Sequence, residues 1–251
     1  MSGYSAFARF YDMLMGDVDY AARADYLMSL FSRHNSKHKP MTLLDLACGS
    51  GSLSLELAHR GVDVIGVDCS GDMLSAARDK ADRAGIPLLL ICQDMRSLDL
   101  YGTVDGAVCC LDGINHICRT SELAQIFERL YLFIEPGGLF IFDVNTIYKH
   151  LFVLGNNTFV YEMRDVYCIW RNCLNKHLAK VDMRLDFFKM EKDGRYIRLS
   201  DCLSERAYSN RTLKRLLSSA GFDTLAVYDD LSYEQPKEDS SRVVFVARRR
   251  K

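Results

Sequence analysis

Leu43-Leu44-Asp45-Leu46-Ala47-Cys48-Gly49-Ser50-Gly51-Ser52 is the stretch that decides the fold. An apolar run ends in a turn with two glycines and passes into a helix-compatible stretch, which is how a β-strand enters the helix of an α/β unit. Gly49 and Gly51 let a ligand approach the backbone closely, and the N–H groups that open the next helix can face an anion. The same turn also serves as a tight connection with no ligand, so its surroundings must decide.

Outward from that turn, strand-like and helix-like segments alternate, the pattern of a parallel sheet flanked by helices. Thr42 to Ala47 reads as the first strand, Ser52 to Arg60 as a helix and Val62 to Asp68 as the second strand. A helix from Gly71 to Ala84 follows, with Ser70 as its N-cap and Asp72 placed well for the helix dipole. Strands are expected at Pro87 to Cys92 and Val104 to Cys110, then a helix from Ser121 to Phe133. Pro136-Gly137-Gly138 turns the chain into a strand at Leu139 to Val144.

After residue 150 the period changes to two: Val181, Met183, Leu185 and Phe187 alternate with Asp182, Arg184 and Asp186. Asp193-Gly194 is a hairpin signal leading into Tyr196 to Leu199. With Phe159 to Arg171 in front, residues 150–207 read as a three-stranded antiparallel insertion. A helix from Asn210 to Ala220, stopped by Gly221, and strands at Thr224 to Asp229 and Arg242 to Arg248 complete the main sheet. Tyr4 to Phe31 reads as one or two helices with an apolar face including Phe7, Phe10, Leu14, Leu27 and Leu30. One domain results, with a helical segment at 1–35, a ligand-binding core at 41–149, the insertion as a lid, substrate or dimer surface, and a C-terminal completion at 208–251.

The 251 residues, 49% hydrophobic and 26% charged, are enough to bury a full core. No apolar stretch approaches the roughly 18 residues a membrane span needs. Met1 to Met15, interrupted by Arg9 and Asp12, builds no signal-peptide core, so a cytoplasmic location is expected. The nine cysteines form no CxxC pair and read as buried free thiols, and no clustered spacing of metal ligands is present. A net charge of −1 supplies no basic field for nucleic acid, and Arg248-Arg249-Arg250-Lys251 reads as a solvated tail.

Asp68 closes the second strand about 20 residues beyond the glycine turn, where a carboxylate can accept from both hydroxyls of a ribose. Gln93-Asp94-Met95 closes the third, where a carboxylate can accept from an adenine amino group. Either acid alone is equally a solvated loop residue. Together they occupy carboxyl ends of neighbouring parallel strands, where the ligand crevice of such sheets forms.

These segments, with Val67-Asp68-Cys69-Ser70, Met73-Leu74 and Glu135-Pro136-Gly137-Gly138, resemble the successive motifs of class I S-adenosylmethionine-dependent methyltransferases. The likeness is close over residues 41–144 and looser beyond. Tyr4, Phe7-Ala8, Phe10-Tyr11-Asp12, Asp19-Tyr20 and Glu205-Arg206-Ala207-Tyr208-Ser209 resemble an uncharacterised bacterial small-molecule branch. The resemblance implies a Rossmann-like seven-stranded, mostly parallel sheet with an inserted antiparallel lid, and S-adenosyl-L-methionine as cofactor. By position, Asp45, Ala47, Gly49 and Gly51 would hold its methionine part, Asp68 the ribose, and Asp94 and Met95 the adenine. Cys110, Leu111 and Asp112 would face methionine and acceptor, with Cys69, Met73 and Tyr11 as further cofactor contacts. Ala47 stands where the family often has its first glycine, and an ordinary negative φ is expected there. Leu203 stands near a position where the branch's insertion often carries a polar residue, commonly His.

Methyl transfer from a sulfonium is an in-line displacement that releases a neutral thioether, so positioning in a water-poor pocket supplies most of the acceleration. Asp112 and His116 are the candidates for taking a proton from the acceptor or orienting it; His116 can equally be a structural loop histidine. Asn115, Arg206 and Tyr208 are candidate acceptor contacts, although each can also brace the loop or the rim. A small-molecule acceptor, methylated on nitrogen or oxygen, and a homodimer through the insertion are the expected partners, with no metal. Two alternatives stand beside this reading. A nicotinamide-dependent oxidoreductase fits Gly49-Ser50-Gly51 followed by Asp68, with Ser54 in the third glycine's place, and a non-enzymatic adenosyl-binding module fits the fold alone.

Overall fold

The computed structural model describes residues 5–34 and 41–251; Tyr4 lies outside them. Two helices, α1 (Ser5–Leu14) and α2 (Tyr20–His34), precede the alternating core. The core runs β1 (Thr42–Leu46), α3 (Ser52–His59), β2 (Asp63–Asp68), α4 (Gly71–Ala84), β3 (Leu89–Cys92), β4 (Val104–Cys109), α5 (Thr120–Phe133) and β5 (Ile134–Asn145). An inserted sheet follows, β6 (Thr158–Met163), β7 (Val166–Asn175), β8 (Lys180–Met190) and β9 (Tyr196–Arg206). The chain then returns through α6 (Asn210–Ser219), β10 (Phe222–Asp229) and β11 (Arg242–Arg249).

The main sheet has the order β10-β11-β5-β4-β1-β2-β3, and β11 runs against both of its neighbours. Successive residues of its central strands enter opposite layers, because side chains alternate across a pleated sheet. Leu44, Leu46, Phe140 and Phe142 pack with α5 and α6, while Leu43, Leu139 and Ile141 pack with α2 and α3. Both faces are therefore covered, as continuous apolar parallel strands require.

The insertion has four antiparallel strands in the order β6-β7-β8-β9. The stretch from Phe159 to Arg171 is not one strand, because Arg164 and Asp165 form a tight turn that pairs Met163 with Val166. Val181, Met183, Leu185 and Phe187 do turn inward, and α1 lies on them with the Phe10 ring 4.8 Å from that of Phe187 and tilted by 30°. The backbone N–H of Phe7 donates to Asp201 of β9. At its other end α1 meets the glycine turn, where Asp12 accepts from Ser50 and Lys80 at 2.6 and 2.7 Å. Helix α1 thus joins the inserted sheet to the core.

Ser70 caps α4 as expected, its hydroxyl accepting from Met73 N–H. The expected turn at Pro136-Gly137-Gly138 is instead a bulge within β5, which begins at Ile134 opposite Val104. Gly138 leaves no room for a side chain, since a Cβ there would lie 2.5 Å from the Asp105 carbonyl. Gly51 is constrained twice: its φ is +74°, and a Cβ would meet that of Ala77 at 2.7 Å. Gly85, at φ +66°, faces open space. Gly85→Ala is expected to cost about 1 kcal/mol of backbone strain, and Gly51→Ala at least about 1 kcal/mol more from the helix contact. Urea unfolding of both variants checks this, and equal losses would show that α4 yields freely.

Candidate active site

A cavity of about 440 Å³ opens at the carboxyl ends of β1 to β4. Its floor comes from the turns after those strands, and its opposite wall from α1 and the inserted sheet. Tyr11, Asp45, Ala47, Gly49, Asp68, Cys69, Met73, Asp94 and Met95 all line it. So do Cys110, Leu111, Asp112 and His116. The one sequence-predicted cofactor residue away from its lining is Gly51, which begins α3 and seats it against α4.

The turn after β1 alternates left-handed residues, with φ of +57° at Ala47, +55° at Gly49 and +74° at Gly51. The ordinary negative φ expected of Ala47 is therefore corrected: the chain bends there as a glycine would, at a cost of order 1 kcal/mol for an L-residue. This bend carries the Gly49 N–H to Asp68 Oδ2 at 2.9 Å, while Ser70 N–H reaches Oδ1 at 2.8 Å. Two backbone donors thereby orient the carboxylate and leave it lone pairs facing the cavity. Burial raises the Asp68 carboxyl, and these hydrogen bonds pull it back. Asp94 differs, since it caps the short turn at Met95–Ser97 and pairs with Arg96, which holds its carboxyl below the usual range.

In the loop after β4, Leu111 and Asp112 are also left-handed, at φ +55° and +63°. Their N–H groups donate to Asp143 of β5 at 2.8 and 3.0 Å. Asp143 is 1% exposed and is paired with Arg23 and Arg242; Arg242 also reaches Asp112 at 2.7 Å.

Asn115, Arg206 and Tyr208 lie behind the site and not on its lining. Asn115 is fully buried, donating to the carbonyls of Asn145 and Arg206 and accepting from Asn145 N–H at 2.8 Å. Arg206 donates to the Cys118 carbonyl and lies over the Tyr208 ring, whose hydroxyl donates to Ile117. Together they fasten β9 to the loop after β4.

The inserted sheet contributes residues that sequence reasoning missed: Tyr161, Trp170, Met183, Leu203 and Glu205 line the cavity. Period-two alternation was the available signal, since Leu203 and Glu205 share the inward face of β9. Glu205 is 4% exposed and accepts from Asn145 Nδ2 at 3.0 Å, with His150 Nε2 at 3.5 Å. Burial raises its carboxyl, but the proximity of His150 and His116 and the Asn145 amide outweigh that and bring it down to about 2.

Asp45 is the opposite case, with burial pushing its carboxyl up to about 7 despite a 2.5 Å hydrogen bond from Ser54. A folded-state value above the unfolded one means that the protonated acid suits the fold. The contribution is complete below about pH 4 and is lost as pH rises through about 7. Asp45→Asn keeps a partner for Ser54 without the charge. It is expected to gain on wild type, by on the order of a few kcal/mol, between about pH 5 and pH 8. Thermal unfolding across that range decides, and parallel pH profiles would assign the titration elsewhere.

A family model described as a methyltransferase domain matches residues 43–138. A protein of Geobacillus sp. (strain WCH70) that carries a methyltransferase name is 31% identical over 98% of this chain and 99% of its own length. The glycine/sarcosine N-methyltransferase of Halorhodospira halochloris is 25% identical over 92% of this chain and 83% of its own. The crystal structure of an S-adenosylmethionine-dependent methyltransferase from Clostridium acetobutylicum ATCC 824 superposes with a TM-score of 0.87 at 31% identity, covering 99% of both chains. The matched segment holds the glycine turn, Asp68 and Asp94, and the likeness continues through the inserted sheet to both ends. The chain belongs to the class I S-adenosylmethionine-dependent methyltransferases.

Proposed function

We propose that this methyltransferase acts on a nitrogen or oxygen atom of a small molecule held between the loop after β4 and the inserted sheet. The observation that carries the reading is the enclosed cavity, which joins the strand-end carboxylates to an apolar and aromatic wall of Phe7, Tyr161, Trp170, Met183 and Leu203. A volume of about 440 Å³ suits a cofactor with a small partner.

The residues present fit the cofactor. Asp68, aimed by two backbone N–H groups, would accept from the ribose hydroxyls, and Met95 with Asp94 would border the adenine. Gly49 presents bare backbone beside Tyr11, and Asp45 with Ala47 would border the methionine part. When bound, the cofactor supplies a methyl group on a sulfonium whose departing thioether is neutral. The protein's task is then mostly geometric, and the fixed loop at Leu111 and Asp112 performs it by holding the acceptor end at one distance from the glycine turn. Aromatic and aliphatic side chains of the inserted sheet exclude water from that end. The N-methyltransferase name of the Halorhodospira relative supports nitrogen as one acceptor atom.

S-adenosylhomocysteine at a hundredfold excess over its Kd is expected to raise the melting temperature by roughly 5–10 °C, and NAD to leave it unchanged. Asp68→Ala should lose most of that shift. Retention of the full shift in the variant would remove Asp68 from the ribose site.

A further inference from the structure

The loop after β4 and the last strand of the inserted sheet bring three donor groups together at the acceptor end. A carboxylate oxygen of Asp112, an imidazole nitrogen of His116 and a carboxylate oxygen of Glu205 lie within 4.8 Å of one another. We infer that Asp112, His116 and Glu205 bind one divalent transition-metal cation.

The donors are held from behind, as the ligands of metal sites are. Asp112 Oδ1 is fixed by Arg242, and its backbone by Asp143. Glu205 Oε2 is fixed by Asn145 and faces His150, whose Nδ1 in turn lies 2.9 Å from the Ala179 carbonyl. The other oxygen, Oε1, lies 4.0 Å from His116 Nε2, beyond hydrogen-bond reach, and accepts no hydrogen bond among the described residues. Glu205, only 4% exposed, thus turns one oxygen towards an imidazole across a gap that a cation bound to both would fill.

Charge and distance agree. Four carboxylates, Asp112, Asp143, Asp230 and Glu205, face three cations, Arg23, Arg242 and Lys149, so the neighbourhood stays negative when its histidines are neutral. Bonds of about 2.0–2.2 Å bring ligand atoms to roughly 3–3.5 Å from one another, which these side chains reach by closing up to about 1.5 Å. One imidazole with two carboxylates suits zinc, manganese, iron or cobalt in the divalent state, whereas calcium and magnesium favour all-oxygen sets. Three protein ligands leave at least one position open towards the cavity. On the methyl-transfer reading, on which this role rests, that position takes an acceptor oxygen or nitrogen, and His116 acts as a ligand and not as a base.

Titration of the tag-free, EDTA-treated full-length chain with cobalt(II) tests the site without any acceptor. One cobalt per chain is expected, seen as a visible d–d band that zinc displaces. His116→Gln and Glu205→Gln should each weaken it at least about tenfold, while His59→Gln, on the exposed surface of α3, should leave it intact. The S-adenosylhomocysteine thermal shift, measured on the same samples, reports the cofactor half separately. Its absence in wild type would fail the methyl-transfer role without touching the ion titration. No saturable band in wild type, or a band that survives either substitution, overturns the site; should Glu205→Gln not fold, His116→Gln decides.

Discussion

The carboxylate of Asp143 is the constraint on which the working end of the molecule depends. At 1% exposure it could not remain charged alone, because an unpaired buried carboxylate is far less stable than a solvated one. Its partners come from three distant parts of the chain: Arg23 of α2, Arg242 of β11, and the N–H groups of Leu111 and Asp112. Satisfying one charge therefore fixes the N-terminal helices, the C-terminal strand and the loop after β4 relative to one another. This side of the cavity inherits that geometry, since Asp112 lines it and shares Arg242.

Backbone strain is concentrated around the same opening. Of the five non-glycine residues with positive φ among the described residues, Ala47, Leu111 and Asp112 lie on the cavity. Each costs of order 1–3 kcal/mol and persists only where its surroundings determine it, as Asp143 does for the last two. The strain has a geometric return. A left-handed residue at a strand end turns the chain sharply, so the N–H of Gly49 meets the carboxylate of Asp68 on the adjacent strand instead of following its own helix.

The core fold was legible because it is written in local terms. Apolar runs bounded by glycine and capping residues set β1 to β4 and their helices within a residue or two, whereas β5 begins at Ile134 and not at Leu139, and period-two alternation found β8. What escaped depended on context absent from the chain's own pattern. Arg164 and Asp165 look like the solvent-facing residues of an exposed strand, yet they make the turn that divides it. Alanine carries no mark of a positive φ, and only the packed structure imposes one on Ala47. Asp68 and Asp94 look alike in sequence, but one is oriented by backbone donors and the other turns to Arg96. Asn115, Arg206 and Tyr208 drew attention as polar residues near the site, and their polarity is consumed in joining β9 to the core. Glu205 meets His116 and Asp112 only because that joining brings β9 to the loop.

The two halves of the cavity are consequently built by different means. The half at the strand ends relies on backbone groups and short side chains in turns whose conformations are tightly constrained, so its residues have little freedom to change separately. The opposite half is the inward face of an antiparallel sheet, where Met183 of β8 is directly opposite Leu203 of β9 and Glu205 lies two residues beyond Leu203. On such a face every second side chain can be exchanged while the ladder of backbone hydrogen bonds stays the same. A cavity walled in this way can alter the shape and charge it offers an acceptor without disturbing Asp68 or the glycine turn. Trp170, Met183, Leu203 and Glu205, which line the cavity, therefore stand on strands outside the parallel core.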